Sequence, residues 1–375
     1  MKLKIESNIR SLDKNRPIVL FGAGNKGEKA LKLLQNFSIR PSCFCDNNIK
    51  LQGQLYCDLP VFSYDKVQKM YSDYTLLLTA TSKNAEQMMR QLRDAGERNP
   101  IYHFCIPFKV DNTLLSYEEV CRTEAYDKVY DFFEDKLSKE LFIKLLEYKV
   151  TGNGLPLLKY ESGKSFFDEK LIPEQENHAY VDVGAYTGDT IMKFCEFCRG
   201  KYTSITAFEL DKSNFAKLQR FVEYSRLTDI TLYNIGGWYE KSEITYYTLK
   251  NAGFENANVF SGIEDKADRR QKTMMEEMHC LPKEETAIVD AVDHVLAGER
   301  ATIIKINALA ADLEVLQGCK ETIKKYKPVV IFDYGARPSH ILEIPLLLKE
   351  LRPDYKLVLR QKEIFGDSKT VLWAI

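Results

Sequence analysis

The sequence predicts an α/β fold built from two doubly wound, Rossmann-like units, the smaller one first, joined by a helical connector. Three observations predict it. Apolar runs of strand length twice enter a glycine turn that opens a helix, near Pro17 and again near His178. Further apolar runs alternate with helical patterns downstream of each turn. Between the two units lies a charged stretch whose apolar residues recur at helical spacing.

A chain of 375 residues exceeds one ordinary domain. Its 45% hydrophobic and 29% charged residues are those of a globular protein able to bury a core. With 53 basic and 54 acidic side chains the formal net charge is -1, which gives no reason to expect nucleic acid or an anionic membrane as a partner. The start, Met1 to Arg16, is polar and lacks the apolar core of a signal peptide. No apolar run approaches the ~20 residues needed to cross a bilayer. Nine cysteines, scattered and odd in number, suit a reducing cytosol better than a disulfide framework, so a cytoplasmic protein is expected. Cys195 and Cys198 form a C-x-x-C, and Cys43 and Cys45 sit close together. No second pair follows at zinc spacing, and Cys195 falls inside a predicted helix rather than at its start. Buried thiols are expected there, and no metal.

Residues 1–110 form the first unit. Pro17 to Phe21 enters Gly22-Ala23-Gly24-Asn25-Lys26-Gly27, a G-x-G-x-x-G turn, and a helix follows from Gly27 to Phe37 with Ala30, Leu31 and Leu34 on one face. The next strand, Ile39 to Phe44, leads to Asp46, roughly 20 residues beyond the turn, where a nucleotide-binding unit places the acid that accepts from ribose hydroxyls. Strands at Thr75–Ala80 and Ile101–Phe104 flank a helix from Asn84 to Ala95. Gly22, Gly24, Gly27 and Asp46 are thus candidates for a nucleotide site. A turn kept without any ligand is an equal alternative. The segment Asp46 to Gly53, followed by Leu59-Pro60-Val61, resembles sensor-like domains attached to bacterial sugar-modifying enzymes, a likeness that implies a nucleotide or sugar nucleotide rather than a hydride carrier.

Residues 111–165 form the connector. Phe132, Phe133, Leu137, Leu141, Leu145 and Leu146 recur at helical spacing from Tyr126 to Tyr148, a stripe that predicts packing between domains. Thr151-Gly152-Asn153-Gly154 breaks the helix.

Residues 166–375 form the second unit, and its turn carries more information. His178 to Val183 is a strand ending in V-D-V-G-A-x-x-G-D-T, that is Val181-Asp182-Val183-Gly184-Ala185-Tyr186-Thr187-Gly188-Asp189-Thr190, with a helix to about Cys198. The acid before the first glycine and the missing third glycine separate it from a dinucleotide fingerprint. Such a loop lets the backbone lie against an adenosyl and amino-acid moiety, with Asp182 and Asp189 able to meet an ammonium group. The next strand, Ser204 to Phe208, ends at Glu209, placed to accept from both ribose hydroxyls. Asp211 and Asn214 open a helix to Tyr224. Ile230 to Tyr233 leads to Asn234-Ile235-Gly236, near where an adenine ring would lie. Strands at 302–306 and 328–333 enclose a helix at 312–326, and Lys356–Leu359 with Thr370–Ile375 form an antiparallel pair. A strand-end acid that merely caps the next helix is the plain alternative for Asp182 and Glu209.

Residues 165 to 375 resemble the FkbM family of methyltransferases. The likeness is carried by Val181 to Thr190, Ala207-Phe208-Glu209, Asn214-Phe215, Leu218, Asn234-Ile235-Gly236, Trp238 and Leu313-Glu314-Val315-Leu316-Gln317-Gly318. The tail adds Glu343-Ile344-Pro345, Leu348 to Leu351, Tyr355-Lys356-Leu357 and Thr370 to Ile375. The family often follows a Rossmann-like domain and a helical connector, so the likeness spans nearly the whole chain. It implies a methyltransferase sheet, S-adenosyl-L-methionine as cofactor, and O-methylation of a sugar or small-metabolite hydroxyl. It also implies cofactor contacts at Asp182, Gly184, Ala185, Tyr186, Thr187, Gly188, Asp189, Thr190, Glu209, Asn234 and Gly236.

The chain departs from the family after the fourth strand. The usual K-[MI]-D-[VI]-E-G-x-E reads Lys305-Ile306-Asn307-Ala308-Leu309-Ala310-Ala311-Asp312, and Tyr334-Gly335-Ala336 stands where a Y-H pair is expected. Asn307 and Asp312 remain the catalytic candidates. Asn307 can hydrogen-bond but cannot take a proton. His340 reads as a polar helix residue, with replacement of the missing histidine as the alternative. The leading expectation is an active methyltransferase on a sugar or small-molecule acceptor. The second is a catalytically silent homologue serving as a ligand-binding or scaffold module. A dehydrogenase using the first glycine turn comes third, since no Lys, Tyr or His is recognisably placed near that turn as a catalytic acid. The charged insert Gly253 to Pro282 is expected over the active-site mouth, and a homo-oligomer stays open.

Overall fold

Strands covered by helices on both faces are nearly continuous apolar runs, and Ile18–Phe21 (β1) is buried at all four positions. The computed structural model describes residues 12–13, 15–80, 82–104, 114–163, 166–173, 177–248, 283–308, 311–363 and 369–375. After β1 come α1 (Asn25–Asn36), β2 (Cys43–Cys45), β3 (Leu55–Tyr56), β4 (Leu59–Phe62), α2 (Tyr64–Met70), β5 (Thr75–Leu78), α3 (Ser82–Asp94) and β6 (Ile101–His103). They form a sheet of order β3-β4-β2-β1-β5-β6, parallel except for β3. The β3–β4 hairpin lay outside the sequence expectation. Its two-residue turn is Cys57-Asp58, both left-handed (φ 49° and 61°), so the usual Asn-Gly signal is missing.

The connector contains α4 (Tyr117–Arg122), α5 (Glu124–Phe132), α6 (Lys136–Thr151) and a 3₁₀ helix at Leu155–Tyr160. The single helix expected from Tyr126 to Tyr148 is two helices, because Asp135 accepts from the Ser138 amide at 2.8 Å and starts a new one. Leu141, Phe142, Leu145 and Leu146 are buried against Ile304, Ile306, Val330 and Phe332 of the second sheet, whereas Leu137 is exposed. Gly152, left-handed at φ 75°, ends α6, and the Gly154 amide donates to the His103 carbonyl.

The second unit runs β7 (His178–Val183), α7 (Asp189–Phe197), β8 (Tyr202–Phe208), α8 (Lys212–Ser225), β9 (Ile230–Tyr233), β10 (Gly236–Trp238), β11 (Ser242–Thr248), β12 (Lys283–Ala291), α9 (Val292–Leu296), β13 (Ile303–Ile306), α10 (Asp312–Gln317), α11 (Lys320–Tyr326), β14 (Val329–Tyr334), α12 (His340–Leu351), β15 (Leu357–Glu363) and β16 (Lys369–Ala374). Among the described residues, seven strands order as β15-β16-β14-β13-β7-β8-β9, and β10, β12 and β11 make a separate three-stranded sheet. Only β16 is reversed within the larger sheet, antiparallel to both of its neighbours, β14 and β15. From β7 the chain winds outward through β8 and β9, then returns to β13 on the other side. The strand order therefore reverses between β7 and β13, the point at which doubly wound folds open a crevice for ligands.

The single helix expected over 312–326 is split at Gly318-Cys319. A Cβ on Gly318 would lie 1.8 Å from the Trp238 carbonyl oxygen, so α10 must stop where β10 passes. The Asp293 carboxylate then accepts from the Glu321 and Thr322 amides, both at 2.8 Å, and starts α11. The insert Gly253 to Pro282 lies outside the described residues. No helix among the described residues is long and apolar enough to cross a membrane.

Gly318→Ala is expected to destabilise the chain by about 1–3 kcal/mol through overpacking, read from urea unfolding. Gly24→Ala, where an added Cβ meets nothing within 4 Å, is expected to stay within about 1 kcal/mol of the parent.

Candidate functional site

At the reversal point, Gly184 turns the chain with φ 82°, and a Cβ there would sit 2.2 Å from the Asn307 carbonyl oxygen. The glycine thus makes room for the end of β13. Gly188, φ 95°, is hemmed by the Phe221 ring at 2.3 Å from the same construction. Gly184 and the buried Ala185 both donate their amides to the Phe208 carbonyl, which ties the loop to the end of β8. Tyr186 adopts a left-handed φ of 54°, uncommon for a residue with a side chain. That turn aims its amide at Glu209 Oε2, 2.8 Å away.

Glu209 is the centre of the arrangement. Its second oxygen, Oε1, accepts from the Asp211 amide at 2.9 Å, and the residue is only 7% exposed. Burial pushes the carboxyl up to about 7, helped by the nearby Asp211 charge and opposed by the two amide donors and Lys305. The helix cap falls to Asp211, which accepts from the Asn214 amide at 2.8 Å, so capping is not what Glu209 is for. Asn234 donates its side-chain amide to the carbonyls of Glu209 and Leu210. It holds the acid's own backbone rather than facing outward. Gly236 lies against Leu210 and Val289, each 3.0 Å from an added Cβ.

Two expected ligand contacts are occupied by the protein itself. Asp182 is fully buried; its Oδ1 accepts from Lys305 Nζ at 2.8 Å and its Oδ2 from the Thr190 hydroxyl. Lys305, 1% exposed, also donates to the Gly184 carbonyl at 2.7 Å. Asp182 and Thr190 therefore brace the loop from behind, with both Asp182 oxygens engaged by the protein. Sequence reasoning gave Lys305 no role, although a lysine alternating with isoleucines in a buried strand signals a paired charge. Its partner is set by register, since β13 places Lys305 opposite Asp182 of β7. Asp189 opens α7 at the surface, 3.9 Å from Lys193. Thr187 lies partly exposed in the loop.

Beyond β13, the Asn307 amide continues the ladder to the Val183 carbonyl at 3.0 Å. Leu309 and Ala310 lie outside the described residues. Asp312 is buried and its Oδ1 accepts from the Ala308 amide at 2.8 Å. His340, expected as a polar helix residue, is 1% exposed, with Nδ1 3.7 Å from Asp312 Oδ2. The apolar sequence around it hid this placement, because the approach of α10 to α12 is a tertiary contact. Burial also raises the carboxyl of nearby Glu314.

The first unit repeats the same tie. Asp46 Oδ2 accepts from the Ala23 amide at 2.6 Å, and Oδ1 from the Asn48 amide at 2.7 Å. Gly22 is left-handed and Gly27 packs against the Gly22 carbonyl, 2.0 Å from an added Cβ, while Gly24 stands in open space. Cys195 and Cys198 lie on α7 and its C-terminal cap, where burial raises both thiols.

No family model matches the chain, and no curated protein matches it significantly. Among solved structures it is similar to the methyltransferase FkbM from Methylobacillus flagellatus KT, with a TM-score of 0.71 and 17% identity over 100% of this chain and 95% of that one. It is far more loosely similar to precorrin-6y C5,15-methyltransferase from Geobacter metallireducens GS-15 (TM-score 0.33, 9% identity, 55% and 84% covered). Fibrillarin from Aeropyrum pernix, in complex with S-adenosyl-L-methionine, is comparably distant (TM-score 0.31, 10% identity, 54% and 69% covered). The first likeness establishes that the chain has the fold of that methyltransferase from end to end; the other two are too loose to add to it.

Lys305→Met would strand the Asp182 carboxylate without its counterion and is expected to destabilise the chain by about 3–5 kcal/mol in urea unfolding. Adding Asp182→Asn should recover a substantial part of that loss. A double variant no more stable than Lys305→Met alone would show that the pair does not act as a unit.

Proposed function

We propose that the chain is an S-adenosylmethionine-dependent methyltransferase acting on a hydroxyl of a sugar or small metabolite, in the cytoplasm as its scattered, odd cysteines suggest. The observation that carries this reading is Glu209: a buried strand-end carboxylate, turned into the glycine loop at the point where the strand order reverses. Each of its oxygens accepts one backbone amide and keeps a further lone pair for a ribose hydroxyl. The residues fit such a cofactor. A carboxylate pairs with vicinal hydroxyls, the loop lacks the third glycine a pyrophosphate would call for, and Asp189 in the first turn of α7 offers a charge to an ammonium group. When bound, the cofactor supplies an electrophilic methyl group on a sulfonium.

What the chain's own residues contribute is position. Lys305 and Asp182 lock the loop, and Glu209 holds it against α8, so donor and acceptor can be aligned without reorganisation. Alignment of this kind can supply about 7–11 kcal/mol of a displacement barrier. Asn307, at the end of β13, can orient a hydroxyl through its amide. It cannot remove the proton, and a missing general base typically forfeits roughly 100- to 10,000-fold. That same residue favours a second reading, a catalytically silent homologue that binds the cofactor alone. Labelled methyl offered with candidate acceptors separates the two. Transfer by the unaltered chain excludes silence, and transfer that appears only on Asn307→Asp favours it.

Affinity for S-adenosylmethionine should follow the ionisation of Glu209. Below its pKa of about 7 the side chain holds a proton and loses acceptor capacity; above, it is ionised and accepts from both hydroxyls. Calorimetry should therefore show binding tightening as pH rises from 5.5 to 7.5, by up to about tenfold per unit below 7, with proton release. Glu209→Gln should flatten this profile, and Glu209→Ala should weaken binding roughly 10- to 100-fold at pH 8. Binding that is indifferent to both variants would overturn the reading.

A further inference from the structure

Next to the glycine loop lie four ionisable side chains that the cofactor does not need. Asp312 and Glu314 come from α10, Arg337 from the turn after β14, and His340 from the start of α12. Asp312 and His340 are 2% and 1% exposed. Asp312 ties the Ala308 amide, one residue beyond Asn307, whose carbonyl abuts Gly184. Through Asp312 the cluster is linked to the loop without belonging to it.

Part of its hydrogen-bonding capacity is unfilled. Among the described residues, Glu314 Oε2, His340 Nδ1, and both Nε and Nη2 of Arg337 are buried and have no hydrogen-bond partner. A buried polar atom left without a partner is costly, and four gathered in one place call for something that fills them. The two Arg337 nitrogens form the side-on edge of the guanidinium, a fork that presents two parallel N–H donors to a pair of oxygens.

Charge decides what those oxygens belong to. An anion would fill the Arg337 fork but would bring Glu314 a second negative charge and no proton to accept. An amine would satisfy Glu314 but leave the Arg337 fork empty, since it has no acceptor to offer. Adjacent neutral hydroxyls meet both needs, accepting from Arg337 while donating to Glu314. We propose that Arg337 and Glu314, backed by the Asp312–His340 pair, form the acceptor subsite and that it takes a neutral vicinal diol such as a sugar ring presents. The proposal rests on the methyltransferase reading and narrows its substrate class. Arg337 and Glu314 set specificity. His340 Nδ1 completes the subsite as donor or acceptor according to its tautomer.

The test is saturation-transfer NMR on the full chain with S-adenosylhomocysteine present. The probes are methyl α-D-glucopyranoside, methyl α-D-mannopyranoside and myo-inositol as neutral diols, with cyclohexanol, D-glucuronate and D-glucosamine as contrasts. At least one neutral diol is expected to bind, more tightly than all three contrasts. Arg337→Met, Arg337→Lys and Glu314→Gln should each weaken that diol at least tenfold, while S-adenosylmethionine affinity by calorimetry stays within twofold, which also certifies folding. The lysine variant keeps the charge and loses only the fork. Absence of binding by every diol, tighter binding of glucuronate or glucosamine, or unchanged diol affinity in the folded variants would overturn the proposal. Failure of the unaltered chain to bind S-adenosylmethionine would instead sink the methyltransferase reading and leave the diol measurement to be judged by itself.

Discussion

A carboxylate at the end of the second strand, hydrogen-bonded to the backbone of the preceding glycine loop, is the constraint on which the rest of the site depends. In the larger unit Glu209 takes the Tyr186 amide, and in the smaller unit Asp46 takes the Ala23 amide. Each tie joins the loops that follow the first and second strands of its unit. Amide hydrogen bonds to a charged oxygen contribute about 1.5–3 kcal/mol apiece, enough to hold Tyr186 in a left-handed conformation that would otherwise be unfavourable. The burial that makes Glu209 a rigid support also makes it a poor acid, which is why its carboxyl titrates near neutrality.

The support behind that carboxylate is equally specific. Lys305 reaches across the sheet to Asp182 and to the Gly184 carbonyl, so the strand that carries Asn307 also fixes the loop opposite it. Gly184 permits the approach, since any side chain there would strike the Asn307 carbonyl. A buried ion pair is a weak source of net stability but is strongly missed when half of it is removed. Its use here is geometric: it sets the distance between the loop and the end of β13.

The alternation of apolar runs with helical patterns made the two-unit α/β fold legible, because strands buried on both faces leave continuous runs of Val, Ile and Leu. Glu209 was legible for a related reason: a carboxylate that ends such a run cannot lie in the sheet core. The β3–β4 hairpin was not, since Cys57 and Asp58 adopt left-handed conformations without glycine or asparagine to announce them. The break at Gly318 depends on Trp238, a partner 80 positions earlier in the chain. The true partner of Asp182 depends on β13 lying beside β7, which strand order decides and local sequence does not. His340 reads as a polar residue because its burial comes from α10, an element separated from it by a strand and a helix. What escaped the sequence was in each case a contact between distant segments.

A crystal structure with S-adenosylhomocysteine tests the central claim most directly. The ribose hydroxyls should lie within hydrogen-bonding distance of both Glu209 oxygens, with the Tyr186 amide still bound to Oε2 and the Asp182–Lys305 pair unmoved. A ligand seated elsewhere, or a Glu209 side chain turned away from the sugar, would contradict the account.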